Sequence, residues 1–148
     1  MTTRTLALVL FSLFVGSHAS ATTLVPMTPK QVVSEAARIF VGTCVDTQPI
    51  TVTGGMLATE YTFRVESVQK GEDLRASLEA GRRLYRFRQY GGLQDGRRSG
   101  IVGLPQYEVG QRYRLALRGE SQLGLTSPVG FGQGVQSLGA GTLAPAKP

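Results

Sequence analysis

The sequence predicts a mainly β fold, a small antiparallel barrel or sandwich of five or six strands with one helix near its start. Three observations carry this. Apolar and polar residues alternate with a period of two in several stretches, Gly pairs and an Asp-Gly step punctuate the chain at short intervals, and a helical pattern occurs clearly only once. The chain has 148 residues, 16 Lys and Arg against 10 Asp and Glu, one His, one Cys and no Trp. That is the material of one domain.

The first 21 residues read as a secretory signal, with Arg4 as the positive start, Leu6 to Gly16 as a short apolar core and Ala19-Ser20-Ala21 as a small-residue cleavage site. The alternative is an uncleaved anchor helix, for which the apolar core is short. Cleavage near Ala21 leaves 127 residues from Thr22 with a formal charge of +5, and a periplasmic or secreted product with no later membrane span. The expected domain runs from 22 to 136, followed by a disordered tail at 137–148, whose Gly, Ala, Pro and Ser content suits no packed core. A chain of this size buries roughly two thirds of its unfolded surface and needs no disulfide framework. Cys44 is alone, so it is either a buried thiol or a bridge between chains, and its apolar, strand-like setting favours the thiol.

Each element has a local reason. Thr28-Pro29-Lys30-Gln31 fits a capping box with Pro at the first helical position, which predicts a helix from about Pro29 to Ala37 with Val32, Val33, Ala36 and Ala37 as its apolar stripe. Arg38 to Thr47 is apolar or β-branched on both faces, as in a strand at the centre of the core. Gly54-Gly55 then turns a hairpin. In the return strand Tyr61, Phe63 and Val65 alternate with Thr62, Arg64 and Glu66, and Val68 falls out of phase, which predicts a bulge near Ser67. Asp73 to Ala80 reads equally as a short helix or an irregular connection. Tyr85 and Phe87 alternate with Arg86 and Arg88 up to the break at Gly91-Gly92, and Asp95-Gly96 is a turn. Ser99 to Leu104 is a short strand, and Arg112 to Arg118 places Tyr113, Leu115 and Leu117 inward. Leu123 to Val135 is an edge strand or a strap across a barrel mouth.

The run Ala36 to Gly42, the segment Tyr61-Thr62-Phe63-Arg64-Val65 with Lys70-Gly71, and Val109 to Leu115 together resemble the strand pattern of the netrin and tissue-inhibitor-of-metalloproteinase type of OB-fold domain, and of exported bacterial proteins of similar size. The resemblance covers roughly 32–118 and implies an OB-like barrel. It does not carry the inhibitory mechanism, because those inhibitors chelate zinc through an N-terminal Cys and rely on several disulfides, whereas this chain would start at Thr22 with a single Cys.

The chemical inventory is short. His18 lies in the predicted leader, so the mature chain lacks imidazole, and with it Ser-His-Asp or Cys-His catalysis and His-bearing metal sites. Lys30, Lys70 and Lys147 stand beside no nucleophile motif, and Gly130 to Gly134 lacks the helix and Lys of a phosphate loop. Glu60 and Glu66 lie ~20 Å apart by strand rise, too far for a glycosidase pair. No catalytic residue, metal site or cofactor is expected.

What stands out is arginine. Arg82, Arg83, Arg86, Arg88, Arg97 and Arg98 are opposed only by Asp95 within that stretch. Arg86 and Arg88 would share a strand face ~7 Å apart, a spacing suited to anionic groups gripped by guanidinium. The expected function is an exported, non-catalytic interaction module that binds another protein through loops or a sheet edge. The alternatives are a protease-inhibitor-like module, implied by the resemblance alone, and a binder of anionic polymers such as glycans, lipopolysaccharide phosphates or nucleic acid through those six arginines.

Overall fold

The computed structural model describes residues 24–141. The predicted leader at 1–21 and the end of the tail at 142–148 lie outside the described residues. Helix α1 (Pro29–Glu35) is followed by two long strands, β1 (Arg38–Val52) and β2 (Met56–Lys70), then helix α2 (Glu72–Glu79) and strand β3 (Leu84–Tyr90). A small hairpin of β4 (Gly92–Gln94) and β5 (Arg97–Ser99) precedes β6 (Gln111–Leu117), one 3₁₀ turn (Phe131–Gly134) and β7 (Val135–Ala140). The main sheet is antiparallel with the order β3-β2-β1-β6-β7, and β4-β5 form a separate two-stranded sheet.

The capping box forms as the sequence predicts. The Thr28 hydroxyl accepts from the Gln31 amide at 3.2 Å and the Gln31 side chain accepts from the Thr28 amide at 2.7 Å. The helix ends at Glu35, because Ala36 is already extended and packs its methyl onto the sheet. β1 is the central strand, and its first half, Ile39 to Cys44, is buried on both sides. Phe40 and Cys44 point into an aromatic core with Tyr61, Phe63, Phe87, Tyr107, Tyr113 and Leu115, while Ile39 joins Val32, Ala36, Ala116 and Val129 in a second cluster beneath α1. Phe63 stands at the centre of the first core, with ring centroids 5.8 Å from Phe40, 5.7 Å from Phe87, 5.5 Å from Tyr107 and 6.1 Å from Tyr113.

The bulge is where the broken phase placed it. Val41 pairs with Ser67 and Gly42 with Val65, so Glu66 is the extra residue. Gly42 suits that crossing, since a Cβ there would lie 2.7 Å from the carbonyl oxygen of Arg64. Asp95 (φ 51°) and Gly96 (φ 73°) make the two-residue turn of the β4-β5 hairpin.

One open alternative is decided and two expectations are corrected. A second helix, α2, occupies the segment left open. It starts on Gly71 without a side-chain cap and is held by Leu74, buried in the aromatic core, with Leu78 packed against it. The predicted strand Ser99 to Leu104 is instead β5 at Arg97–Ser99 followed by a loop, because the tight Asp95-Gly96 turn starts the pairing two residues earlier, at Arg97. The predicted tail begins too soon. Residues Ser137 to Ala140 belong to β7, which pairs with β6 with Ser137 opposite Tyr113 and Ala140 opposite Gln111.

The segment between β6 and the 3₁₀ turn is a strap. Leu117 bridges Pro128 in antiparallel sense, Arg88 bridges Leu125 in parallel sense, and the Thr126 amide donates to the Arg88 carbonyl at 2.8 Å. No helix among the described residues is long and apolar enough to cross a membrane.

Candidate functional site

The six arginines singled out in the sequence fall into three places. Arg82 and Arg83 lie in the link after α2, where the Arg82 amide donates to Ser77 and the Arg83 carbonyl accepts from Val65. Arg86 and Arg88 lie on the exposed face of β3, with Phe87 and Gln89 buried between and after them. Arg97 and Arg98 belong to the β4-β5 hairpin. Seven strand residues, ~20 Å by strand rise, separate the first group from the region of the last. The six do not form a single patch.

The sheet instead groups other arginines with Arg86 and Arg88. Thr43 in β1 is paired in register with Arg64 on one side and Arg112 on the other. Arg86 is opposite Thr62, one outward position along β2 from Arg64, and Arg114 lies one outward position from Arg112. The polar phases of β2, β3 and β6 are visible in the sequence. Their coincidence on one face requires the strand order.

Carboxylates temper this face. Arg88 Nε donates to Glu60 at 2.9 Å, and Glu66 accepts from Arg112 Nε at 2.7 Å and from the Thr43 hydroxyl at 3.1 Å. Arg114 donates to the Gln69 side chain at 2.7 Å. Arg86 and Arg64 meet no carboxylate within ion-pairing distance among the described residues, and Arg64 Nη1 is buried without a hydrogen-bond partner. Both glutamates are thus tied up as counter-ions, a different role from paired acid and base.

Cys44 is free and fully buried. Burial pushes its thiol up to about 11, so the thiolate needed for nucleophilic or redox work is scarce near neutral pH. Burial likewise raises the hydroxyls of Tyr61, Tyr85 and Tyr107, which stay protonated.

Two further surfaces have definite geometry. Strand β7 is the outer strand of the main sheet, and among the described residues no strand pairs with its far side. From Gln136 to Ala140 its side chains are exposed. A groove of about 320 Å³ runs between α1 and the start of β7, walled by Met27, Val32, Val33 and Val135 with Arg114 and Gln136 at its polar side. The second is a polar pocket of about 280 Å³ beside the β4-β5 hairpin. No protein-family model, curated protein or solved structure matches the chain.

Proposed function

We propose that the chain is an exported, non-catalytic interaction module, built on an OB-like barrel, that takes up a partner protein along the open edge of β7. The observation that carries this is the composition of that edge. Sheet edges expose unpaired N–H and C=O groups, and proteins guard them with Lys, Pro or inward-pointing charge. Val135-Gln136-Ser137-Leu138-Gly139-Ala140 holds no charged residue and no proline. An edge of this kind suits strand addition, in which main-chain hydrogen bonds supply affinity and neighbouring grooves read alternate side chains. The groove between α1 and β7 lies where such side chains would project.

The barrel reading is supported by the strap, whose bridges to Arg88 and Leu117 link the two sides of the sheet that strand pairing alone leaves apart. Export rests on the leader pattern of the first 21 residues. Crosslinking in the native envelope fraction tests the module directly. One stoichiometric partner is expected, and Leu138→Lys, which puts a guard charge on the edge, should remove that adduct while leaving the unfolding midpoint nearly unchanged. A folded Leu138→Lys protein that crosslinks as before would eliminate the edge as the docking site.

A second reading, a binder of anionic polymers, is favoured by one observation. Arg86 is exposed on β3 without a carboxylate partner among the described residues, beside the half-buried Arg64 of the adjacent strand, which has none either. The charge of +5 expected after leader cleavage is modest for such a role, which places this reading second.

A further inference from the structure

The polar pocket beside the β4-β5 hairpin has walls from four stretches of chain. Thr47 of β1 and Thr59 and Tyr61 of β2 present their side chains from the inner face of the long strand pair, Thr47 directly opposite Tyr61. Arg98 reaches in from β5, and Gln106 and Tyr107 come from the connection before β6. The floor is rigid. Tyr61 and Tyr107 are each 4 % exposed and stand edge to face with centroids 4.8 Å apart.

The hairpin that carries Arg98 is anchored at both ends. Gly92 sits so close to β2 that a Cβ would lie 2.8 Å from Thr59 Oγ1, and the Thr51 hydroxyl donates to Gln94 at 3.2 Å. Tyr90 and Ser99 share a hydrogen bond of 2.8 Å across its base. Arg98 is therefore delivered to the pocket by a fixed support rather than by a free loop.

The charge balance of the walls is one-sided. Arg98 is the one charged group lining the pocket, no carboxylate lines it, and Arg98 makes no ion pair among the described residues. The remaining polar groups are hydroxyls and one amide; the Thr59 hydroxyl donates to the Gly91 carbonyl at 2.8 Å and keeps its oxygen as an acceptor, while Thr47 and Gln106 can donate as well as accept. A concave site with a lone guanidinium and neutral donors attracts an anion, and the planar fork of Arg matches two oxygens at once. The volume is at the small end of ligand pockets, and the threonine hydroxyls and Gln106 offer partners to polar substituents around the anionic group.

We propose that this pocket binds a small carboxylic acid bearing hydroxyl or amide groups, its carboxylate paired with Arg98 and its body resting on Tyr61 and Tyr107 between Thr47, Thr59 and Gln106. This stands independently of docking at β7, which lies on another strand and uses no residue of the pocket. The carboxylate has two natural sources, a sugar acid and the C-terminus of a peptide, and the experiment separates them.

Amide chemical shifts of the folded protein are followed by NMR during titration with D-galacturonate in one series and acetyl-glycyl-glycine in another, with D-galactose and acetyl-glycyl-glycine amide as uncharged counterparts. Saturable shifts concentrated at Thr47, Thr59, Gly92 and Gln106 are expected for one of the acids, at least roughly tenfold weaker for its neutral counterpart, as loss of a charged hydrogen bond implies. Arg98→Gln should weaken binding by a similar factor, and Arg97→Gln, on the neighbouring residue outside the pocket walls, should leave it intact. Arg98→Lys, which keeps the charge and loses the fork, should fall between and covers the case in which the Gln variant folds poorly. Absence of localised saturable shifts with both acids, or equal binding by wild type and a folded Arg98→Gln, overturns the proposal.

Discussion

The guanidinium of Arg38 donates from both Nε, at 2.9 Å, and Nη2, at 2.7 Å, to a single carboxylate oxygen of Asp73. One residue opens β1 and the other lies in the first turn of α2, so the pair fastens the helix to the start of the central strand. Glu120 of the strap approaches the same guanidinium at 3.8 Å, and the Tyr85 ring lies 5.7 Å beneath it. One cation thereby joins a strand, a helix and the strap at one end of the sheet.

The hydrogen bond from Arg38 holds the Asp73 carboxyl below its ordinary value. A depressed folded-state pKa stabilises the protein at pH values above the unfolded carboxylate value near 4, and that contribution disappears as pH falls through the folded value. Asp73 is 59 % exposed at its side chain, so the gain is screened and amounts to at most about 1 kcal/mol. Asp73→Asn should therefore lower the urea midpoint slightly at pH 7 and leave it level with wild type near pH 2. A gap that persists at pH 2 would assign the effect to something other than this charge pair.

Phe63 is fully buried and touches four aromatic rings. Truncating it removes a large apolar surface and opens a cavity that the rigid rings around it cannot collapse to fill. Phe63→Ala should cost about 3–5 kcal/mol of unfolding free energy, read from urea curves with an unchanged slope. A loss under about 1 kcal/mol would mean that the rings do not form one packed core.

Cys44 offers a direct view of opening. With its thiol raised to about 11 by burial, the reactive thiolate is rare at pH 8 and access is blocked as well. Alkylation in the native state should be slower than in urea by roughly a hundredfold or more, and a non-reducing gel should show monomer. Fast native labelling or a reducible dimer band would place the sulfur at the surface.

The elements that read well in the sequence are those whose cause is local. The α1 cap needs only Thr28 and Gln31, and the Glu66 bulge shows itself because Val68 leaves the phase of Tyr61, Phe63 and Val65. Burial of both Ile39 and Phe40 follows from an apolar run on both faces. The elements that the sequence leaves open or misreads have distant causes. Helix α2 has no capping side chain and depends on the aromatic core that receives Leu74, while β7 is composed like a tail and becomes a strand because β6 offers it a backbone. The grouping of arginines across strands is hidden in the sequence for the same reason. Proximity along the chain joined Arg82 to Arg98, whereas pairing across Thr43 joins Arg64 to Arg112.

That regrouping separates Arg86 from Arg88, which the sequence treats as equals. Arg88 is held by Glu60 at 2.9 Å, so each partly cancels the other's field, whereas Arg86 has no such partner among the described residues. If the outer face binds anionic polymers, Arg86→Ala should move elution from heparin to lower salt more than Arg88→Ala does, and Arg88→Ala should gain effect when it is made in the Glu60→Gln background. Glu60→Gln alone should move elution to higher salt, because it frees the Arg88 guanidinium and removes a repelling charge from the same face. Elution that is indifferent to Glu60→Gln and Arg86→Ala would show that heparin, and by extension any polyanion, is held elsewhere or merely by net charge.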